Sequence, residues 1–405
     1  DRHADTFNHN GYRVHIVVSP EDCAVCHPQE RAQYSNNKMA YARINLYENQ
    51  VYQQLIHAIN GTITFYEMRT TQMAPDSITN AASCYYCHGT RVRVQRMEQR
   101  TTSFGVMEFP RLSGWPNQGV GRINPDSSRG SCTGCHARHA FAIEVARQPY
   151  TCGECHKGQD VPAKKVYTVS KMGNIYTTQK KQFNFTNVPW TLGEDFTAPT
   201  CATCHMSQIV DPQGNTIASR THQVNDRLYY RLFGLPYAHP QPRSANTSAI
   251  RNSAGLQLPT ELNGNFVTGA LIDEATQAER KNKMKQVCKG CHSTQWADNH
   301  FEMLDHVITT TNEMTLTATQ MLESAWTQNL AKGIPQGQNP FDEALEREWV
   351  QEWLYYSNST RLAAAMAGAD YGVFEDGRWF MSRTIERMRD RIQFLRNVQR
   401  EQPTP

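Results

Sequence analysis

Six Cys-x-x-Cys-His motifs between residues 23 and 292, none beyond them, and three long helical apolar patterns in the last hundred residues predict a mainly α protein. The first part of the chain is expected to be loop-rich and packed around prosthetic groups, and the last part to be a bundle of three long helices. The expected division is 1–298 and 299–405, the second block being a helical domain or an oligomerisation face.

The motifs are Cys23-Cys26-His27, Cys84-Cys87-His88, Cys132-Cys135-His136, Cys152-Cys155-His156, Cys201-Cys204-His205 and Cys288-Cys291-His292. In such a motif two thiols form thioether bonds to the vinyl groups of haem and the histidine becomes an axial ligand of iron. One copy could equally hold zinc or form a redox pair. Six copies that consume all twelve cysteines leave those readings little room. The prediction is a multihaem cytochrome c with six covalently attached haems, whose proximal ligands are the six motif histidines.

Composition agrees. A mean hydropathy of −0.64 and 39% hydrophobic residues are low for a 405-residue chain with a large core, and six porphyrins would supply much of that core. No apolar run is long enough to span a bilayer. The chain begins DRHADTF with no secretory leader visible, so a processed chain is expected. Haem attachment of this kind belongs outside the reducing cytosol, which points to a periplasmic or extracellular protein. The formal charge is +3, but six haems carry about twelve propionates, giving about −9 with ferrous and about −3 with ferric irons. Nothing here suggests nucleic acid; a basic redox partner protein fits better.

Taken in order, residues 1–18 form a polar arm with His3, His9 and His15. Residues 28–59 carry a helical pattern (Tyr34, Ala40, Ile44, Tyr47, Val51, Leu55, Ile59) that Gly61 ends. The glycine- and proline-rich stretch between His88 and Cys132 reads as an irregular loop over haem, residues 157–200 as similarly aperiodic, and residues 238–259 as a loop without a core role. Helices are expected over Asn299–Leu330 (Met303, Leu304, Val307, Ile308, Met314, Met321, Leu322, Trp326), from Pro340 to Met366, and over Arg378–Glu401.

Iron chemistry depends on the sixth ligand, because an open position admits substrate. Fifteen histidines less six proximal ones leave nine: His3, His9, His15, His57, His139, His222, His239, His300 and His306. Arithmetic therefore does not force an open iron. His222 and His15 are the leading distal candidates. His139 follows His136 by three residues, which predicts one shared short helix with both rings on one face. It should then address a neighbouring haem, as a sixth ligand or as an acid–base group above an open iron.

The segments VVSPEDCAVCHPQERAQYS, SCYYCHGT, SCTGCHARHAFAIEVARQPYTCGECHKG and FTAPTCATCHMS resemble the octahaem hydroxylamine oxidoreductase family, as do the motif order and the haem-free helical tail. The resemblance runs from about Asp22 to the C-terminus. It implies that these six motifs match the family's last six haems; the first two are either absent by nature or cut away. It also implies that the catalytic haem is the one at Cys84, Cys87 and His88, with His139 and, as a weaker match, Asp126 serving the substrate nitrogen. In oxidative members a tyrosine from a neighbouring subunit of a trimer bonds to this haem, and Tyr371 in ADYGVFEDGRWF sits in the comparable region. The chain departs from the family where distal histidines are usual. It has Met39 in NNKMAYA and Met172 in SKMGNIY, which either ligate iron through sulfur or fill space as soft core residues.

Two functions follow. One is an oxidoreductase converting a small nitrogen compound at the haem of His88, by hydroxylamine oxidation or by nitrite or hydroxylamine reduction. The other is a non-catalytic electron conduit, a polymerised haem wire included.

Overall fold

A computed structural model describes residues 6–15, 17–67, 69–138 and 140–401. The protein is mainly helical, with a C-terminal region of long helices and a few short sheets, as expected.

Each haem motif folds as about one helical turn. His27, His136, His156 and His292 donate their N–H to the carbonyl of the first cysteine of their own motif at 2.8–3.0 Å. That turn brings the two thiols, three residues apart, onto one side, with the imidazole directly after them. Cys84–His88 and Cys201–His205 are short α-helices; Cys132–Gly134 is a 3-10 turn.

The helical pattern of residues 28–59 breaks into Pro28–Ser35, Ala42–Tyr47 and Gln50–Asn60. Both breaks are made by asparagines whose partners are far away in sequence. Asn37 is fully buried, accepts from the Met39 and Ala40 amides and donates to the His222 carbonyl at 3.1 Å. Asn49 caps the third helix through Val51 and Tyr52 and donates to Gln257. Gly61 closes that helix, its N–H bonding His57 O at 2.9 Å.

The stretch after His88 is a long antiparallel hairpin, Arg93–Thr102 with Gly105–Ser113, and only the part from Gly114 onward is the irregular loop expected. Most of the hairpin is solvent-exposed on both faces, so it lacks the apolar–polar alternation by which strands are usually read. A second exposed hairpin joins Thr62–Tyr66 to Arg69–Met73. Residues 157–200 contain two further helices, Ala163–Val169 and Lys171–Gln179. The loop 238–259 is not peripheral: His239, Gln241, Ile250 and Leu258 are all buried.

Thr294–Thr327 is one 34-residue helix, begun by Ser293, whose hydroxyl accepts from Trp296 N–H at 3.2 Å. It starts five residues before the expected position and ends three earlier. Leu304, Ile308, Leu322 and Trp326 are buried as expected, but Met303 is 46% exposed and the stripe continues through Thr311, Thr315 and Thr319. The middle helix begins at Ala344, not Pro340, and runs as Ala344–Val350, a π-helical turn Gln351–Tyr356 and Ser357–Met366. The last helix is Arg378–Glu401, as read from the sequence.

The division at 298/299 falls inside the first of these helices and does not separate two cores. Leu322, Trp326, Trp349, Trp353, Met388 and Ile392 pack in one cluster with Val51, Leu55, Leu235 and Leu258. Each fully buried member contributes about 1.5–3 kcal/mol, so the helical block and the haem-motif region stabilise each other. Among the described residues, no helix is long and apolar enough to cross a membrane.

Candidate haem centres

All twelve motif cysteines are free of disulfides. The Cys23 and Cys132 side chains are neighbours that act on each other, as are Cys87 with Cys155 and Cys152 with Cys201. Cys135 lies within electrostatic reach of Cys152, and Cys204 of Cys288. The six motifs therefore form one connected series in space: first to third, third to fourth, fourth to both second and fifth, fifth to sixth. Cys152-Cys155-His156 is its junction.

Burial pushes the Cys135 and Cys204 thiols up to about 12 and the Cys288 thiol up to about 11. The Cys87, Cys132 and Cys201 thiols are lowered instead, each by a neighbouring motif cysteine, so the shifts alone mark neither a reactive nor a zinc-binding set. Among the described residues, no group of three or more His, Cys, Asp or Glu converges as a metal site of its own. Two thiols with a histidine directly after them suit haem attachment and iron ligation by their spacing.

His88 follows its cysteines on Cys84–His88 and is closed off by Gly89 at φ +97°. Its Nδ1 lies 3.3 Å from Ala42 O, a bond that makes Nδ1 the protonated nitrogen and leaves Nε2 for a metal. The loop after the hairpin packs directly on this motif. A Cβ on Gly121 would come within 2.7 Å of His88 O and 2.5 Å of Arg43 N, so only glycine fits there. His205 is held by Arg227, whose guanidinium donates to the carbonyls of Thr203, Cys204, Ser207 and Ser219. Burial, then the Arg227 charge, brings the His205 pKa down to about 4, which keeps the imidazole in its neutral, ligating form. His156 faces Phe233 at 6.4 Å between centroids, and His292 stacks on Trp296 at 3.7 Å.

His222 is brought opposite His136, with ring centroids 6.4 Å apart and planes 19° from parallel. Two imidazoles holding one iron between them at about 2 Å each have centroids about 6 Å apart, so the pair fits a shared haem iron. His222 Nδ1 is buried without a hydrogen-bond partner, and its backbone is pinned by Gln33 and Asn37. His239 has the same character. It is fully buried, Nδ1 lies 2.6 Å from Pro240 O, and Nε2 has no partner. The sequence reading did not single it out; no local motif marks it, only its burial.

The remaining candidates are placed as follows. His15 ends the hairpin strand Tyr12–His15, and its Nδ1 accepts from Val17 N–H at 3.1 Å. Met39 follows the buried Asn37 turn, and Met172 packs on the aromatic cluster that also touches Cys204. Asp126 is exposed, hydrogen-bonded to Ser128 and Ser19, with its charge acting on Arg122. The carboxylate whose charge acts on both His88 and His156 is that of Asp160, four residues past the fourth motif. Tyr371 lies in the 3-10 turn Ala369–Gly372, packed on Val166, Leu362 and Ala363 of its own chain. His139 lies outside the described residues. Among its described neighbours, the 3-10 turn Cys132–Gly134 ends before His136, Phe141 N–H bonds Ala137 O at 2.9 Å, and Phe141 has φ +51°.

A family profile described as "Seven times multi-haem cytochrome CxxCH" matches residues 121–222, which span the third to fifth motifs and end on His222. A solved structure titled "Hypothetical multiheme protein" is 38% identical, covers 98% of this chain and 82% of its own, and superposes with a TM-score of 0.86. This chain belongs to the multihaem cytochromes c. The cytochrome also shares its fold with a Kuenenia stuttgartiensis reducing HAO-like protein complex, at 17% identity, with 94% and 85% of the two chains covered and a TM-score of 0.51. A curated relative, the "Probable nitrite reductase-hydroxylamine oxidoreductase fusion protein" of Kuenenia stuttgartiensis, is 29% identical over 225 residues, 52% of this chain. The cytochrome spans 24% of that relative's length. As a multihaem cytochrome c it is a redox protein of the extracytoplasmic kind, with covalently bound haem as its cofactor.

Proposed function

We propose that this cytochrome carries six haems and converts a small nitrogen compound at the haem held by Cys84, Cys87 and His88, by hydroxylamine oxidation or by nitrite or hydroxylamine reduction. The observation that carries this reading is the 225-residue match to a relative whose name joins nitrite reductase to hydroxylamine oxidoreductase. When bound, haem supplies one-electron chemistry and an iron able to take a substrate nitrogen. The chain's own residues hold and move protons. Ala42 O fixes the His88 tautomer, and the Asp160 carboxylate provides negative charge beside His88 and His156. His139 and Asp126 are the proposed proton carriers, since imidazole near its normal pKa works in either redox direction. Distal ligands are assigned to His222, His15, Met39 and Met172. Tyr371 is assigned to a cross-link with the catalytic haem of a second copy in a trimer, and a redox protein to electron exchange in the periplasm or outside the cell.

A second reading, a non-catalytic conduit or a polymerised haem wire, draws support from the unbroken series of neighbouring motifs. The two separate on the holoprotein. Turnover of hydroxylamine or nitrite, with a high-spin haem assigned to His88, supports the enzyme; His139→Ala should then slow turnover by about 10²–10⁴-fold with all six haems retained. Six low-spin haems and no turnover of either substrate support the conduit, and near-normal turnover of the variant overturns the role of His139.

A further inference from the structure

One buried carboxyl in the helical block has no part in that reading. Glu352 lies in the π-helical turn Gln351–Tyr356 and is fully buried. Its Oε1 is 3.2 Å from the Ser357 hydroxyl and 3.5 Å from that of Thr315, and the two hydroxyls are 2.9 Å apart. Its Oε2 is buried with no hydrogen-bond partner. Glu346, one and a half turns earlier and equally buried, shows what a structural carboxylate has instead. Fixed N–H donors occupy both of its oxygens: Trp326 Nε1 at 2.8 Å, and the Asp342 and Glu343 amides at 3.1 and 3.0 Å. Hydroxyls, unlike N–H groups, can reverse from donor to acceptor, so the partners of Glu352 serve a charged or a neutral carboxyl alike. A π-turn is a costly irregularity that recurs at functional positions, and here it carries this residue.

Residues next to the partners of Glu352 contact the segments that border the haem motifs. Asn358, one residue past Ser357, donates to Asp160 O at 2.8 Å, and the Asp160 charge acts on His88 and His156. Arg361 donates to Leu232 O at 3.1 Å, next to the Phe233 ring that faces His156. The groups around Glu352 are few. From its own helix comes the Arg361 charge; from the long helix, Thr315; from the segment before His239, the Tyr237 phenol, itself bonded to Leu262 O. The buried residues of the last helix, Met381, Thr384, Met388 and Ile392, are not titratable.

We propose that Glu352 is a redox-linked proton site: it takes one proton from water when a haem at His88 or His156 gains one electron from an external one-electron donor, and returns it on reoxidation. This rests on the haem reading above, though not on catalysis. An added electron in a low-dielectric interior raises the cost of a nearby carboxylate, so protonation compensates it and only an O–H bond forms and breaks. Burial pushes the Glu352 carboxyl up to about 7, the Arg361 charge and the hydroxyls pulling against it, so both forms are reachable near neutrality.

The test is reduced-minus-oxidised infrared difference spectroscopy of the holoprotein, cycled chemically with dithionite and ferricyanide, in wild type labelled with ¹³C-glutamate and in Glu352→Gln. The expected result is a protonated-carboxyl band that shifts with the label and in D₂O and is missing from the variant, together with a haem midpoint that falls as pH rises in wild type and is flat in the variant. The proposal is overturned if the labelled wild type shows no such band, or if the variant keeps both the band and the pH slope. If Glu352→Gln loses haem, Glu352→Asp is read instead, and a labelled glutamate band that persists unchanged in it overturns the proposal. No substrate is used, so failure to turn over nitrogen compounds would remove the functional reading and leave this result standing.

Discussion

The imidazoles of His136 and His222 stand opposite each other, 6.4 Å between centroids and 19° between planes, although 86 residues separate them. Neither position is local chance. His136 is set by its motif turn, with its N–H on Cys132 O at 2.9 Å. His222 is set from the first motif's neighbourhood, its N–H on Gln33 Oε1 at 2.8 Å and its carbonyl on Asn37. Three stretches of chain thus converge on this histidine pair.

His222→Ala should convert one haem from low to high spin while all six stay attached, since thioether bonds do not depend on the distal ligand. Electron paramagnetic resonance with a haem count reads both. An unchanged low-spin signal would remove His222 from the coordination sphere.

Met39 and Met172 are proposed distal ligands, and sulfur ligation would raise the potentials of two haems relative to bis-histidine ligation. The oxidised cytochrome should show the weak far-red charge-transfer band of ferric His/Met haem. Met172→Leu and Met39→Leu should each remove part of it. If wild type lacks the band, both methionines are packing residues, as the place of Met172 on the Tyr167–Trp190 cluster would equally suit.

Glu346 and Glu352 should each contribute a fall in stability as pH rises from about 4.5 to about 7, opposite in sign to the contribution of buried neutral histidines such as His205. Burial raises Glu346 and Glu352 from 4.5 to about 7, so between those values the folded state keeps protons that the unfolded chain has released. The unfolded state then binds fewer protons and stability declines with pH, by about 1–3 kcal/mol per group. Denaturation of the holoprotein at pH 5 and pH 8 checks this. Comparison with Glu352→Gln isolates the carboxyl: the variant should gain stability relative to wild type between pH 5 and pH 8, and an offset that stays constant would count against Glu352 as a contributor.

What the sequence determined by itself is the chemistry that closes within a few residues. Haem attachment needs two thiols and an imidazole spaced over one helical turn, and that spacing is complete inside each Cys-x-x-Cys-His. The last helix was legible over its whole length, because an uninterrupted amphipathic period and the glycine before it, Gly377, leave no competing register. The stop at Gly61 was legible for the same local reason.

Tertiary structure decided whatever depends on partners distant in the chain. Asn37 and Asn49 cut an apparently continuous helix because their side chains bond His222 and Gln257. The Arg93–Ser113 hairpin escaped notice because solvent bathes both its faces and no alternation is imposed on it. The spatial order of the motifs, with the fourth as junction, and the approach of His222 to His136 are set by packing that no spacing encodes. Glu352 reads as one more charge on a helix, and only the tertiary structure buries it, in a π-turn against the long helix.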